Sequence, residues 1–137
     1  MSNSMTESLK RLPIFAACSN KDLEAVARLS TTLDVTPGKV LATEGLPGQE
    51  FVVIRAGTVK VSRGGADLAE LGPGDYFGEI SLMDGGPRTA TVTAVTPVTI
   101  EVVERRDFDS LLETVPGLAQ RLMIGLAARL REKTDRF

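Results

Sequence analysis

The sequence predicts a mainly β domain with flanking helices: a β-barrel of jelly-roll type, preceded by an N-terminal helix and followed by two C-terminal helices. The hydrophobic period is helical before residue 30, alternating from Thr32 to about residue 103, and helical again afterwards. Glycine- and proline-containing turns divide the alternating stretch about every 5 to 12 residues, as in small all-β folds. The length of 137 residues suits one domain with a hydrophobic core.

Residues 1–8 are rich in serine, threonine and asparagine, and we predict a flexible segment there. The single ordered domain is predicted over residues 9–137. A helix is predicted from Lys21 to Leu29, with Ser19 or Asn20 as its N-cap. We interpret this helix as a packing element.

The barrel is predicted over about residues 32–103. Short alternating runs are separated there by Pro-Gly, Gly-Gly and Gly-Pro-Gly turns. The predicted strands are Leu33–Thr36, Lys39–Thr43, Phe51–Arg55, Thr58–Ser62, Asp67–Leu71, Thr91–Thr96 and Val98–Val103. We interpret most of the glycines as corner residues of a small barrel, where a positive φ or a close backbone contact is needed.

The C-terminal helices are predicted over about residues 105–136. The first runs from Arg105 to Glu113 and ends near Pro116-Gly117, and the second runs from Leu118 to about Arg136. Leucines recur every four residues along the second helix and form an apolar stripe. The stripe packs either on this domain's barrel, which we favour, or on the helix of a partner.

Composition limits the classes of function. With 42% hydrophobic and 25% charged residues, the chain matches an average globular protein. No apolar run reaches the roughly 18 residues of a membrane span, and residues 1–9 lack the basic and apolar regions of a signal peptide. These observations predict a cytoplasmic protein without a membrane partner. The net charge of −2 gives no general attraction to a polyanion, so we expect no nucleic-acid partner.

The sequence contains one cysteine and no histidine. Cys18 cannot form an intrachain disulfide, and its neighbours Phe15 and Ala17 predict a reduced core residue. The absence of histidine removes the commonest general base and the commonest ligand of first-row metals. We therefore predict no metal site and no enzyme. The alternative, a small cupin-like metal enzyme, needs clustered histidines and carboxylates.

The segment from Phe77 to Val92 combines an acid, Glu79, with a base, Arg88, in an apolar frame between two strands. Gly78 opens a short helix-like turn, whose start offers unpaired N–H groups. Arg88 follows a Gly-Gly-Pro turn, and its planar guanidinium can hold two phosphate oxygens at once. The arrangement predicts an anion site suited to a phosphate.

This segment, F-G-E-I-S-L-M-D-G-G-P-R-T-A-T-V, resembles the phosphate-binding cassette of cyclic-nucleotide-binding domains of the catabolite-activator and protein kinase A regulatory-subunit type. The family pattern is F-G-E-[LI]-[AS]-L, a short turn and R-[ASTI]-A-[TS]-V, and every term is met. The resemblance covers about Leu9 to Leu130 and includes the E-G-x-x-G stretch that begins at Glu44. It implies a receptor that binds a cyclic nucleotide.

The resemblance also implies a role for each site residue. Arg88 binds the exocyclic oxygens of the cyclic phosphate, and Glu79 accepts a hydrogen bond from the ribose 2′-hydroxyl, which a 3′,5′-cyclic phosphate leaves free. Backbone N–H groups around Ile80, Ser81 and Ala90 share the phosphate. The other predicted ligand-binding residues are Phe77, Gly78, Thr89 and the apolar wall of Val61 and Leu71.

The predicted ligand is cyclic AMP, with cyclic GMP as the alternative, since the family uses threonine at the position of Thr89 for either purine. There is no tryptophan, and the one tyrosine, Tyr76, adjoins the cassette. The residue that caps the base is therefore open among Leu126, Arg129 and Leu130 of the final helix.

The sequence ends at Phe137, before the helix-turn-helix that follows in the catabolite-activator group, which predicts a stand-alone domain. Its output is predicted to pass to an unidentified downstream protein or through self-association of the C-terminal helix. We predict that Pro116-Gly117 is a hinge and that the helix from Leu118 swings over the base when ligand binds. The alternative is a module of the same fold that has lost its ligand and only docks or dimerises.

Overall fold

The computed structural model of the chain describes residues 2–12, 15–115 and 117–133; the side chains of residues 2–4, 79, 83, 122, 125, 129, 132 and 133 are outside this description. The chain divides into two compact units. The first, Ser30–Arg105, is called the strand unit here, and the second, Met1–Leu29 with Arg106–Phe137, the helical unit.

The helices and strands follow the order that the hydrophobic periods predict. The helices are α1 (Ser2–Lys10), α2 (Asn20–Arg28), α3 (Glu79–Asp84), α4 (Arg105–Thr114) and α5 (Leu118–Lys133). The strands are β1 (Thr31–Val35), β2 (Val40–Ala42), β3 (Glu50–Ala56), β4 (Val59–Arg63), β5 (Ala66–Leu71), β6 (Tyr76–Phe77), β7 (Thr91–Ala94) and β8 (Val98–Glu104).

The strand unit contains two four-stranded antiparallel sheets in the described part of the chain. Their strand orders are β1-β8-β3-β6 and β2-β7-β4-β5. Alternate residues of both sheets meet in one hydrophobic core, for example Val52 and Ile54 of β3, Ile100 of β8 and Val92 of β7. The predicted mainly β class with flanking helices is confirmed.

The predicted closure into a barrel is wrong. Over the residues that the structure describes, no strand pairing joins the two sheets, and β1, β6, β2 and β5 remain edge strands. A barrel needs an unbroken hydrogen-bonded ladder around its circumference. At the edges of the sheets, β2 has three residues and β6 has two, so these strands are too short to continue such a ladder.

Each predicted strand overlaps an observed one, and β6 is the strand that the sequence does not predict. Two residues are too few to show a period of two, and Phe77 and Tyr76 pair with Val52 and Val53 of β3 instead of forming a hairpin of their own. This short strand brings the chain to Gly78 and the start of α3.

Within the helical unit, α2 begins with a capping box. The Ser19 hydroxyl accepts the Asp22 N–H at 3.1 Å, and the Asp22 carboxylate accepts the Ser19 N–H at 3.2 Å. Ser19 rather than Asn20 is therefore the N-cap. Arg121 of α5 pairs with Asp22 at 2.9 Å, which ties α5 to the first turn of α2.

Residues 2–10 form α1 where the sequence predicts a flexible segment. Met5 and Leu9, one helical turn apart, are buried. Their burial stabilises a helix whose serine and asparagine residues have low helix propensity. Sequence pattern alone misses this helix because its apolar stripe is only two residues long.

Cys18 is a buried free thiol, which confirms the predicted core position. Burial raises the pKa of this thiol, and the nearby Asp22 carboxylate raises it further, while Arg121 acts in the opposite direction. The thiol is therefore held in its protonated form at neutral pH.

The apolar stripe of α5 is only partly buried. Leu118 is buried and Leu126 half-buried, whereas Leu130 is exposed. The side chain of Leu122 lies outside the description. None of the described helices has the length and apolar character needed to cross a membrane.

Candidate functional site

Arg88 lies at the centre of the predicted anion site, and its backbone is fixed by the loop before β3. The Arg88 N–H donates to the Leu46 carbonyl at 2.9 Å, and the Arg88 carbonyl accepts the Gly45 N–H at 2.9 Å. The preceding residue, Pro87, forms an isolated bridge with Pro47. This pairing holds Arg88 at a defined place although it follows a turn.

The Arg88 side chain is only 6% exposed, and two glycines make room for its guanidinium. A Cβ atom at Gly48 would overlap the Nε, Cδ and Cζ atoms of Arg88. A Cβ atom at Gly78 would lie 2.6 Å from Arg88 Nη1, and it would also overlap the carbonyl oxygen of Glu50. Gly78 has φ +95°, which favours glycine as well.

Gly48 therefore has a different role from the predicted one. A corner role is expected for this glycine, but its φ is not in the left-handed region, and the space left by the absence of a side chain is occupied by Arg88. The signal for this contact is the second glycine of the E-G-x-x-G stretch.

Glu50, the first residue of β3, forms an ion pair with Arg88. Arg88 Nη2 and Glu50 Oε1 are 3.5 Å apart, and the Glu50 side chain is 49% exposed. This separation is long for a charge-assisted hydrogen bond, which is usually about 2.7–2.9 Å. The contact is therefore at the long limit for a hydrogen bond between two charged groups.

Helix α3 is fixed to the residue before Arg88 through the buried Ser81. The Ser81 hydroxyl donates to the Pro87 carbonyl at 3.2 Å. The Ser81 carbonyl accepts the N–H of Gly85, the C-cap of α3, at 3.0 Å. It also accepts the Arg105 Nη2 group at 2.6 Å.

Arg105 joins α3 to the loop that contacts Arg88. Its Nε donates to the side-chain oxygen of Gln49 at 3.0 Å, and its backbone N–H donates to the Gln49 carbonyl at 2.6 Å. Gln49 lies between Gly48 and Glu50, which both lie next to the Arg88 side chain. Gln49 and Arg105 are not among the site residues predicted from the sequence.

The segment after Arg88 is held by the β4–β5 hairpin. Arg63 Nε donates to the Thr89 carbonyl at 2.9 Å. The Glu44 carboxylate accepts the Gly64 N–H at 3.0 and 3.2 Å and the Thr91 hydroxyl at 3.2 Å. These bonds fix residues 89–91 and the hairpin turn relative to one another.

The structure places the predicted site residues in two groups. Gly78, Ser81 and Arg88 come together as described above. Phe77 is buried in the core between the sheets, with Val61 and Leu71 partly buried against the same core. Phe77 thus serves packing in this structure, and the predicted apolar wall is continuous with the core.

The remaining predicted residues differ in exposure. Ile80 and Thr89 are exposed, and Ala90 is half-buried. The backbone of Glu79 begins α3, but its side chain lies outside the described residues. Among the side chains that the structure describes, no cluster of three histidine, cysteine or acidic residues is arranged to hold a metal ion.

Family comparison agrees with this geometry. Residues 32–115 match the model of the cyclic nucleotide-binding domain, and this range contains loop 45–49, Glu50, α3 and Arg88. The chain belongs to the cyclic nucleotide-binding domain family. The predicted resemblance is therefore confirmed.

Two curated members of this family illustrate how the domain occurs in longer proteins. The CRP-like cAMP-activated global transcriptional regulator of Mycobacterium tuberculosis (strain ATCC 25618 / H37Rv) is 33% identical over 136 residues, which cover 96% of this chain and 61% of that protein. The cAMP-dependent protein kinase regulatory subunit of Yarrowia lipolytica is 35% identical over 109 residues, which cover 78% of this chain and 29% of that protein. The chain thus spans less than two thirds of the length of either relative.

Solved structures of family members have the same fold. The N-terminal domain of a transcriptional regulator from Streptomyces coelicolor A3(2) superposes with a TM-score of 0.84 at 34% identity, covering 95% of this chain and 94% of that one. The catabolite activator protein of Thermus thermophilus superposes with a TM-score of 0.77 at 31% identity, covering 88% of this chain and 59% of that one.

Proposed function

We propose that this cyclic nucleotide-binding domain binds a 3′,5′-cyclic nucleotide, preferably cyclic AMP, and acts as a receptor rather than a catalyst. The observation that carries the proposal is the buried Arg88 guanidinium, for which Gly48 and Gly78 leave room. Both relatives named above carry cyclic AMP in their names, which supports cyclic AMP over cyclic GMP.

In this proposal, Arg88 holds the exocyclic oxygens of the cyclic phosphate. Charge-assisted hydrogen bonds of this kind contribute about 1.5–3 kcal/mol. They are stronger in a partly desolvated site, and the Arg88 side chain is 6% exposed. Backbone N–H groups at Ile80, Ser81 and Ala90 complete the phosphate contacts, with Ala90 beside the Thr89 carbonyl that Arg63 holds.

The ribose and base contacts follow the family pattern. We assign Glu79 to the ribose 2′-hydroxyl, because a carboxylate near a phosphate needs a donor to offset the repulsion between the two anions. Thr89 adds a hydroxyl contact near the purine. Val61, Leu71 and Phe77, which extend the hydrophobic core, supply the apolar wall beside sugar and base.

The output is a change in α5. Ligand binding shifts an equilibrium between two conformations, with Gly117, whose φ is +79°, as the described part of the hinge; Pro116 lies outside the described residues. One of Leu126, Arg129 and Leu130 caps the base. Hydrogen exchange in α5 is then slower with cyclic AMP than without it, and equal exchange contradicts this movement.

The receiver of the signal is a downstream protein or a second copy of this chain bound through α5. Exposed apolar residues of α5, Met123 and Ile124 among them, suit such a contact. The competing function is a module that docks or dimerises without a ligand. The complete cassette pattern from Phe77 to Val92 favours the receptor. A cytoplasmic location stays a prediction.

Isothermal titration with cyclic AMP and cyclic GMP tests the binding. We expect saturable binding of both, tighter for cyclic AMP, and weaker binding of 2′-deoxy cyclic AMP because it lacks the hydroxyl assigned to Glu79. Chromatography of the nucleotide after prolonged incubation is expected to recover it unchanged. No binding of either cyclic nucleotide contradicts the receptor function, and conversion of the nucleotide contradicts its non-catalytic part.

A further inference from the structure

The proposed phosphate site contains a carboxylate next to its buried cation. Glu50 Oε1 lies 3.5 Å from Arg88 Nη2, and the Glu50 side chain is 49% exposed to solvent. A carboxylate at this position does not increase the affinity of the site for phosphate, because it repels every anion. We therefore consider a role for Glu50 in distinguishing one anion from another.

The formal charges of the Arg88–Glu50 pair cancel. Arg105, which contacts Gln49 beside Glu50, adds a positive charge, and Glu104, which lies opposite Glu50 in the β3–β8 pairing, adds a negative charge. The four groups together are neutral. The site therefore supplies hydrogen-bond donors for phosphate oxygens without a large positive potential.

We infer that Glu50 makes the site select a singly charged phosphodiester over a doubly charged phosphomonoester. This inference rests on the proposed function and concerns the ligand specificity of the same site. A 3′,5′-cyclic nucleotide carries one negative charge, whereas a 5′-monophosphate carries nearly two above its second pKa of about 6. Glu50 repels the second ligand about twice as strongly, in proportion to its charge.

Desolvation acts in the same direction. The cost of removing an ion from water rises steeply with its charge, and a neutral group of residues does not repay that cost for the second charge. Selection by repulsion of the competing ligand is a general route to specificity. In a cell, this selectivity lets the domain bind the cyclic nucleotide in the presence of the corresponding nucleoside 5′-monophosphate.

Glu50→Gln tests the inference, because glutamine keeps the size of the side chain and an oxygen that can accept from Arg88 Nη2. Dissociation constants for cyclic AMP and 5′-AMP are measured at pH 8 by displacement of a fluorescent cyclic nucleotide. We expect the ratio of the 5′-AMP constant to the cyclic AMP constant to fall about tenfold in Glu50→Gln, the effect of removing one nearby like charge.

Two controls separate charge from shape. Glu113→Gln removes an exposed acid from α4 and is expected to leave the ratio unchanged. Glu50→Asp keeps the charge and is expected to retain most of the selectivity. If Glu50→Asp loses selectivity as much as Glu50→Gln does, or Glu113→Gln has the same effect, the inference is wrong.

The remaining outcomes are equally decisive. A wild-type protein that binds no cyclic nucleotide overturns the proposed function, and the inference with it. A wild-type protein that binds cyclic AMP, together with a Glu50→Gln variant of unchanged ratio, overturns the inference alone. If Glu50→Gln binds neither cyclic AMP nor 5′-AMP, the inference is also wrong, because Glu50 would then serve to position Arg88.

Discussion

The guanidinium of Arg105 donates through Nη2 to the backbone carbonyl oxygen of Ser81 at 2.6 Å, while its Nε donates to Gln49 at 3.0 Å. Ser81 belongs to α3, and Gln49 lies between Gly48 and Glu50, which both lie next to the Arg88 side chain. One side chain thus fixes both elements that surround the proposed phosphate site, although it is not expected to touch the ligand.

Arg105→Ala is therefore expected to weaken binding of cyclic AMP about tenfold, equivalent to about 1.4 kcal/mol. The variant leaves Arg88 in place but loosens α3 and the Gln49 loop. Titration calorimetry measures the effect, and Arg106→Ala, which changes an exposed neighbouring arginine, is the matched control. Equal affinities of the wild type and Arg105→Ala would show that the contact is not needed to position the site.

Gly48→Ala tests the space that Arg88 occupies. The new Cβ atom overlaps the arginine side chain, while the backbone conformation of residue 48 permits alanine. Displacing a buried charged group from its ligand costs about 2–5 kcal/mol, so affinity for cyclic AMP is expected to fall about thirtyfold or more. Gly72→Ala is the control, because a Cβ atom at Gly72 meets only one atom, at 4.0 Å. Unchanged affinity of Gly48→Ala would contradict the proposed arrangement.

Glu101 of β8 is a buried carboxylate with several donors in the strand unit. Its side chain is 1% exposed and accepts from the Thr32 hydroxyl at 2.6 Å, the Ser30 hydroxyl at 3.2 Å and Arg55 at 3.0 Å. Because the Arg55 side chain is 31% exposed, water can hydrate its guanidinium and offset part of the free-energy cost when Glu101 is replaced.

Glu101→Ala is expected to lower the free energy of unfolding by about 3 kcal/mol, near the lower end for breaking a buried pair. Urea denaturation measures this change. Glu104→Gln, at an exposed position of the same strand, is expected to have little effect. A Glu101→Ala variant as stable as the wild type would mean that the carboxylate network does not stabilise the sheet.

Cys18 is expected to react slowly with a disulfide reagent at pH 8. Burial, helped by Asp22, raises the pKa of the thiol, and the reactive thiolate is therefore scarce. The folded state holds this proton more tightly than the unfolded state. The resulting stabilisation is complete below the ordinary thiol pKa and is lost as pH rises through the raised pKa.

The pH dependence of the labelling rate measures the shift directly, with protein unfolded in urea as the reference. Arg121→Gln is expected to raise the Cys18 pKa further, because Arg121 acts to lower it. A native titration midpoint equal to that of the unfolded chain would contradict the assigned causes.

The short helix α3 after Gly78 could be predicted from the sequence, and Arg88 could be assigned to the same segment, because the residues of this segment are contiguous and follow a strict pattern. Gln49 and Arg105 are 56 positions apart, and no local pattern indicates that their side chains meet. The E-G-x-x-G stretch marks Gly48 as a notable position, but a glycine does not indicate which distant side chain lies against it. Alternation identifies which faces of strands are buried, but it carries no information on whether the outer strands pair, which explains the wrongly predicted barrel closure.

Calorimetric titration of Arg88→Ala with cyclic AMP tests whether Arg88 binds the phosphate of a cyclic nucleotide. Wild type and Arg106→Ala are expected to bind cyclic AMP with similar affinity, whereas the affinity of Arg88→Ala is expected to be lower by about a hundredfold or more. Circular dichroism verifies that each variant is folded. A folded Arg88→Ala variant that binds cyclic AMP as tightly as the wild type would contradict the account.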